Sequence, residues 1–340
     1  MANRGCIRAP AFRQQTRANR AMCRASFGLT RYSCAFNRET RSQLASEPIA
    51  IGATIQLQLL TSSRGNSLTD MAFPILSATA WREFRGVPSS RGTNQTTHLA
   101  LIEEPNGKQH LCYVKLTPPE FPTPLTEALG WLLAEALDLP RPAFAALVLV
   151  PMQRLRENMR LDQHWLRYPA EHLAFCAEVV DGRSPAHSWR WLARLRQRGL
   201  YKRPEIARIA AFDAWVANQD RNSGNLLVSK LGKCIPIDNE YILYPVMWNG
   251  RVAFQVGHKS LIAEARTLLS GRAYTRLTIE MAQQAKLHDA AFTKAIPDMH
   301  TLVTSTLPAP FAGAAWNSIH QFLAPRAQPG WLAQQLGVIV

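Results

Sequence analysis

The stretch AFDAWVANQDRNSGNLLVSKLGKCIPIDN, residues 211–239, sets the architecture of this chain. It begins with a helical pattern and continues into the polar loop NQDRNSGN, residues 218–225. Two short apolar segments follow, Leu226–Val228 and Cys234–Ile237, and the second ends on Asp238. The sequence therefore predicts a helix, a loop, a β-hairpin and an acid in that order. Polar loops held between rigid elements often carry functional groups.

Three side chains in this stretch have the spacing that phosphoryl transfer uses. Asn225 follows Asp220 by five residues, and Asp238 follows it by eighteen. Phosphoryl transfer needs a base-like Asp to orient the acceptor hydroxyl, together with Asn and Asp ligands for magnesium. Magnesium takes oxygen ligands and keeps several waters, so one carboxylate and one amide oxygen are sufficient protein ligands. The spacing predicts Asp220 as the catalytic base and Asn225 and Asp238 as metal and nucleotide ligands.

A purely structural interpretation of the loop is the alternative. Asn and Asp side chains often bond to their own backbone in turns, and for any one of these residues alone that interpretation is preferable. Three such residues at the spacing found in kinases, on a helix, a loop and a hairpin, favour a catalytic function instead.

The run FDAWVANQDRNSGNLL, residues 212–227, followed by IPIDN at 235–239, resembles the HipA-like kinases. Their pattern is close to F-D-x-W-(V/I)-x-N-x-D-R-(H/N)-x-G-N-L-L, with an I-D pair on the next strand. The family often has His where Asn222 stands, and often His or Gly where Asn239 and Glu240 stand. Phosphoinositide kinases carry a related D-R-N-x-x-N and I-D pair, and they are the nearest alternative family for this stretch.

The resemblance implies an α+β, two-lobed protein-kinase-like fold, with a small β-rich N-lobe and a mainly helical C-lobe. We expect a disordered leader at residues 1–70, the N-lobe at 71–181 and the C-lobe at 182–340. The implied activity is ATP- and Mg²⁺-dependent transfer of the γ-phosphoryl group to a hydroxyl acceptor, with protein Ser or Thr as the expected acceptor. A regulatory protein partner is a further expectation.

The predicted N-lobe contains a second set of candidate residues. Strand-like segments at 98–104 and 110–116 flank Pro-Asn-Gly-Lys, which is a strong hairpin signal. Lys115 lies on the second strand, and Glu127 borders the apolar stripe of the next helix, for which Thr123 is the predicted N-cap. In kinases such a glutamate holds the strand lysine toward the phosphates, which makes Lys115 and Glu127 nucleotide-binding candidates. An edge-strand lysine and a first-turn acid are the structural alternatives.

Weaker signals complete the predicted cleft. Residues 89–94, SSRGTN, could fold over phosphates through backbone amides. Buried strands are predicted at 145–150 and 175–180, and a hinge at 181–182 would place the backbone near residues 178–180 against adenine. Asp213 is an acid on an apolar helix face, and we expect it to cap the backbone amides of the loop.

Charge is distributed unevenly along the chain. The net charge is +15, and residues 1–70 contain ten Arg, no Lys and three acids. This leader has no secretory core; it could be a transit peptide, an RNA-contacting arm, or sequence upstream of a true start at Met71, which we favour. The basic, Trp-rich segment 183–202 could grip nucleic acid, although a solvated helix face is the better interpretation.

Cysteine usage and hydropathy indicate the cellular compartment of the protein. The six cysteines form no C-x-x-C pair, and no apolar run approaches the roughly 20 residues that a membrane span needs. We therefore expect a reduced, cytoplasmic protein. Two other functions stay open: a nucleotide-binding pseudokinase or nucleic-acid-associated regulatory partner, and a phosphoinositide-type lipid kinase.

Overall fold

The computed structural model describes residues 73–88, 96–163, 165, 168, 170–185, 190–248 and 259–340. These residues all belong to one compact unit, 49–340. The predicted leader at 1–70, the candidate start at Met71 and the loop 89–94 lie outside the described residues.

A mixed sheet occupies the first part of the described chain. Its six strands are β1 (Ile75–Leu76), β2 (Trp81–Gly86), β3 (His98–Glu103), β4 (Gln109–Lys115), β5 (Ala145–Pro151) and β6 (Glu171–Glu178). Their spatial order is β1-β5-β6-β4-β3-β2. Only the β1–β5 pair is parallel among these neighbours, and the other pairs are antiparallel.

The hairpin between β3 and β4 forms as its sequence predicts. Gly107 has a φ of 83°, a left-handed conformation that glycine adopts without steric cost, and the side chain of Asn106 accepts a bond from the Lys108 amide. Burial alternates along β4 in the way that a strand requires. Lys115 consequently shares one face with Tyr113, while Val114 is buried on the other.

Both faces of this sheet are covered by apolar side chains. One face packs against helix α1 (Thr123–Ala136) and joins the main core, which includes Leu129, Leu147 and Phe175. The other face is covered by a second cluster around Trp81 and helix α2 (Met152–Asn158). The side of the sheet that carries Lys115 is therefore the side that faces α1.

The second part of the chain is mainly helical, as expected. A small sheet contains β7 (Gly182–Arg183), β8 (Leu226–Ser229) and β9 (Cys234–Pro236), in the order β7-β8-β9. The helices are α3 (Arg190–Leu200), α4 (Pro204–Trp215), α5 (Leu261–Leu268), α6 (Gly271–Gln284), α7 (His288–Thr306), α8 (Ala309–Ala327) and α9 (Trp331–Leu336). The fold is α+β, with a β-rich lobe and a helical lobe, in agreement with the sequence-based prediction.

Two predictions of local structure were wrong at element ends. The N-cap of α1 is Pro122, not Thr123, and no side chain caps this end of the helix. The Thr123 hydroxyl instead donates to Glu240, since a tertiary partner is within reach. Strand β6 begins at Glu171, four residues before the predicted start, because its first residues pair with the end of β5.

None of the helices in the described residues is both long enough and apolar enough to span a bilayer.

Buried His98 gives the fold a predictable pH dependence. Its Nε2 accepts a bond from the Trp81 indole at 3.1 Å, and its Nδ1 donates to the Thr96 carbonyl, so the ring is held neutral. Burial lowers the pKa of His98 to about 4. Because the unfolded state would titrate near its ordinary value of about 6.5, the unfolded chain binds more protons between these pH values.

We therefore expect the free energy of unfolding to fall as the pH is lowered from about 6.5 toward 4, by up to ~1.4 kcal/mol per pH unit for this residue. Urea denaturation at several pH values measures the slope. Burial also lowers the pKa of His288 to about 4, so the His98→Gln protein should keep part of the slope. An unchanged slope in that variant would contradict the assignment to His98.

Candidate active site

A cavity of about 1150 Å³ lies between the β-rich lobe and the helical lobe. Its walls come from β4, β6, α1, the hairpin β8–β9 and the residues that follow β9. The lining side chains include Tyr113, Lys115, Glu127, Phe175, Ala177, Leu227, Ile237, Asp238 and Glu240. This volume is of the size of a small-molecule site, and three of the predicted site residues line it.

Lys115 is the centre of the charge arrangement in this cavity. Its Nζ donates to Glu127 Oε1 at 2.9 Å and to Asp238 Oδ1 at 2.7 Å. Glu240 Oε2 lies 2.8 Å from the same nitrogen. The strand β4, the helix α1 and the turn after β9 thus bring together residues that are more than a hundred positions apart in sequence.

The charges of this group perturb one another. Burial alone lowers the pKa of the Lys115 ammonium, but the neighbouring carboxylates outweigh burial and raise that pKa well above its ordinary value. Burial raises the pKa of Asp238, and the Lys115 ammonium outweighs it, so the net direction is downward. Asp238 is about a third exposed (36%), and solvent therefore screens part of this interaction. Glu127 is almost fully buried, and the effect of burial on its pKa exceeds that of the Lys115 ammonium. The pKa of Glu127 is therefore raised.

Asp238 also has an unusual backbone. Its φ of 67° lies in the left-handed region, where Asp and Asn are tolerated better than other non-glycine residues. The next residue is tied to α1, because the Asn239 amide donates to Glu127 Oε2 at 2.8 Å. The turn after β9 is therefore fixed against the same glutamate that holds Lys115.

Asp220 lies in the loop that follows α4. Its Oδ1 is 2.8 Å from Nζ of Lys259 in an ion pair, and this buried oxygen accepts no hydrogen bond from the described residues. The Lys259 amide donates to the Gln219 carbonyl at 2.9 Å, which holds the two segments side by side. Lys259 is 58% exposed, so the carboxylate of Asp220 faces a solvent-accessible cation.

Asn225 closes the same loop. Its Nδ2 donates to the Asp220 carbonyl at 2.7 Å, which leaves the amide oxygen of the side chain available as a ligand. The Asn225 carbonyl accepts a bond of 3.1 Å from the Ile237 amide, one residue before Asp238. The backbone thus joins the segment that carries Asp220 and Asn225 to the segment that carries Asp238.

Arg221 connects the segments that carry Asp220, Asn225 and Asp238. Its guanidinium is fully buried, and Nε lies 3.1 Å from both carboxylate oxygens of Asp213 on α4. Its remaining nitrogens donate to the carbonyls of Asn225 and Ile237 and to Oδ1 of Asn239. The acidic partner of Arg221 is therefore Asp213 and not the adjacent Asp220.

The expected role of Asp213 was wrong in its details. The carboxylate does not cap backbone amides of the loop; it accepts from the Arg221 guanidinium and the Asn218 side chain. A buried carboxylate needs a counter-charge more than it needs an amide, and the buried guanidinium provides one.

Gly130 on α1 allows the turn after β9 to approach. A Cβ at this position would lie 2.6 Å from Cβ of Asn239. We expect Gly130→Ala to displace Asn239 and to lower the free energy of unfolding by about 1–3 kcal/mol, the usual cost of overpacking. Urea denaturation measures this change.

Gly313, inside α8, is the matched control because nothing lies within 4 Å of a Cβ there. Gly313→Ala should leave stability unchanged or increase it by up to ~1 kcal/mol, the helix-propensity gain of Ala over Gly. If Gly130→Ala behaves like this control, the proposed close approach of α1 and Asn239 is wrong.

Residues on either side of two weaker sequence predictions, the loop 89–94 and the hinge 181–182, line the same cavity. Val87, Pro88 and Thr97, which flank the loop 89–94, line it. Glu178 and Val180 line it as well, next to the predicted hinge. The described residues on both sides of the two segments thus border the cavity that contains Lys115.

Glu240 and Lys259 were missed as site residues. Both lie outside helices and strands, where no sequence period gives the direction of a side chain. The only available signal for Glu240 was an acid two positions after Asp238. Nothing in the sequence indicates that Lys259 lies beside Asp220.

The donor set fits magnesium. The Asp238 and Glu240 carboxylates and the Asn225 amide offer hard oxygen ligands, and the ammonium of Lys115 already provides a positive charge beside Asp238. Among the described residues, no group of three or more His, Cys, Asp and Glu has the geometry of a complete metal site. A magnesium ion would accordingly need phosphate or water oxygens in addition to these ligands.

The sequence of residues 183–255 matches the family model of the phosphatidylinositol 3- and 4-kinases. The matched segment includes α4, the loop with Asp220 and Asn225, and the hairpin that ends near Asp238. The chain therefore contains a kinase-like domain. This match does not distinguish the HipA-like kinases from the phosphoinositide kinases, so the resemblance to the HipA-like kinases is not confirmed.

A solved structure that matches is the Helicobacter pylori proinflammatory kinase CtkA, at 12% sequence identity and a TM-score of 0.40. The alignment covers 75% of this chain and 99% of that chain. Similarity at this level carries no argument about activity or substrate. No curated protein sequence matches the chain.

Proposed function

We propose that this protein is an ATP- and Mg²⁺-dependent kinase that transfers the γ-phosphoryl group to a hydroxyl acceptor. The observation that carries the proposal is the contact of Lys115 with Glu127 and Asp238 at 2.9 and 2.7 Å. A strand lysine held by a helix glutamate beside a metal-binding aspartate is the arrangement that kinases use to place phosphates. Here it lines a cavity large enough for a nucleotide.

In this proposal, Lys115 contacts phosphate oxygens of ATP, and Glu127 positions the lysine. Asn225 and Asp238 would hold Mg²⁺, which supplies positive charge to the phosphate oxygens when it is bound. Asp220 orients the acceptor hydroxyl. As the acceptor oxygen bonds to the γ-phosphorus, the bond from that phosphorus to the bridging oxygen of ADP breaks, and the hydroxyl proton passes to Asp220.

The lobe boundary belongs to the same proposal. The N-lobe would extend to residue 181 and the helical lobe would begin at 182, with adenine against the backbone of the connection. Glu178 and Val180 support this placement, since both line the cavity immediately before the boundary.

For the acceptor, we infer a protein Ser or Thr, in line with the resemblance to the HipA-like kinases. A lipid headgroup hydroxyl is the second candidate, and the match of residues 183–255 to the phosphatidylinositol kinases favours it. The three described cysteines are free and buried, which supports a reducing, cytoplasmic location for either function.

Phosphate transfer from labelled ATP tests the proposal. The purified chain would be incubated with ATP and Mg²⁺, in one reaction with cell lysate and in another with phosphatidylinositol vesicles. Label in a protein band supports the first candidate, and label in the lipid supports the second. Nucleotide binding without transfer to either would indicate a pseudokinase, and absence of nucleotide binding would contradict the proposal itself.

A further inference from the structure

Glu240 is an acid in the cavity that the roles above leave without a function. Its Oε2 is 2.8 Å from Nζ of Lys115, and its Oε1 accepts a bond of 3.2 Å from the Thr123 hydroxyl. Its side chain is only 14% exposed. A carboxylate at this distance from the phosphate-binding lysine will repel an incoming polyphosphate, because water screens buried charges poorly.

The charges around Lys115 do not balance. One ammonium contacts the carboxylates of Glu127, Asp238 and Glu240, so with all three carboxylates ionised this cluster has a net charge of −2. The nearby guanidinium of Arg221 does not correct this, since it is already paired with Asp213. The excess of negative charge is thus local to the Lys115 ammonium, because Arg141, Arg160 and Arg183 line other parts of the same cavity.

We propose that Glu240 makes this site selective for the metal complex of ATP over free ATP. The selectivity rests on the nucleotide site proposed above. Free ATP carries more negative charge than its magnesium complex, so the excess of carboxylates disfavours it more. Asp238 and Glu240 would share the positive charge of the cation, and Lys115 would then exchange carboxylate partners for phosphate oxygens.

The test is calorimetric binding of ATP to the full chain, once with excess Mg²⁺ and once with a chelator. We expect the parent protein to bind the magnesium complex at least about tenfold more tightly, equivalent to ~1.4 kcal/mol. In Glu240→Gln, which keeps the shape and removes the charge, this preference should fall by about tenfold. Most of the change should be a gain in affinity for free ATP.

Glu280→Gln is the matched control, because it also removes one carboxylate, and Glu280 pairs with Arg276 on α6 outside the cavity. This variant should keep the parent preference. Should Glu240→Gln fail to fold by circular dichroism, Thr123→Val removes the hydroxyl that fixes Glu240 and should reduce the preference in the same direction.

The outcomes separate the two proposals. A parent protein that binds neither form contradicts the kinase function. A parent that binds both forms equally overturns the role of Glu240 and leaves the kinase function standing. A Glu240→Gln or Thr123→Val protein that folds and retains the full preference overturns the role of Glu240 as well.

Discussion

Replacing Asp220 with alanine should lower turnover by about 10²- to 10⁴-fold, the usual contribution of a general base. The affinity for Mg-ATP should stay within a few-fold of the parent, because Asp220 faces Lys259 and contacts neither Lys115 nor Asp238 through its side chain. Turnover is measured by phosphate transfer and affinity by calorimetry with magnesium. A large loss of turnover with little loss of affinity is the signature of a group that acts mainly in the transition state.

The fold should survive this change. The ion pair with Lys259 is partly exposed, with side chains 58% and 23% accessible, so solvent screens it and its contribution to stability is small. The backbone bonds of the loop do not depend on the Asp220 carboxylate. Asp298→Ala, on α7 and outside the cavity, is the control and should keep parent turnover. A variant of Asp220 that keeps most of its turnover would show that the kinase motif has been aligned with the wrong residues of this loop.

Asp238→Asn should reduce both turnover and Mg-ATP affinity. The substitution removes the carboxylate proposed to hold magnesium, and charge-stabilising groups in phosphoryl transfer are worth about 10³-fold or more. Asparagine also tolerates the left-handed backbone found here at φ 67°. Lys115 would keep Glu127 and Glu240 as partners, so the lobes should remain connected.

Asp138→Asn provides a matched control, since Asp138 has a φ of 52° and lies outside the cavity. It separates the backbone effect of the exchange from the loss of the metal-binding charge. Thermal unfolding of both variants should resemble that of the parent. Unchanged turnover in Asp238→Asn would remove Asp238 from the metal site.

Much of this architecture could be predicted because its signals are local. The glycine-containing turns specify the hairpins β3–β4 and β8–β9, and the apolar stripe of α1 specifies the face that it buries. The contact between Lys115 and Glu127 was expected from a template whose spacing fixes which strand and which helix must meet. Their 2.9 Å separation agrees with that expectation.

The remainder depends on contacts between distant segments. Thr123 has the local character of an N-cap, yet its hydroxyl bonds to Glu240, which is 117 residues away in sequence. Glu240 and Lys259 lie in irregular segments, so only the packing of the two lobes brings them to Lys115 and Asp220. Asp213 needed a buried cation, and the sequence does not show that Arg221 turns inward to provide it.

The buried guanidinium of Arg221 has a mechanical consequence for the whole cleft. Because it bonds to α4, to the carbonyl of Asn225 and to the turn that carries Asn239, we expect these segments to move together. Glu127 is bonded to the Asn239 amide in the same turn, so an opening of the cleft would separate Lys115 from Asp238, while Glu127 stays beside the turn and the spacing from Asp220 to Asp238 is preserved. In the proposed kinase, lobe motion would change how firmly Lys115 holds the nucleotide, and the spacing between Asp220 and Asp238 would stay constant.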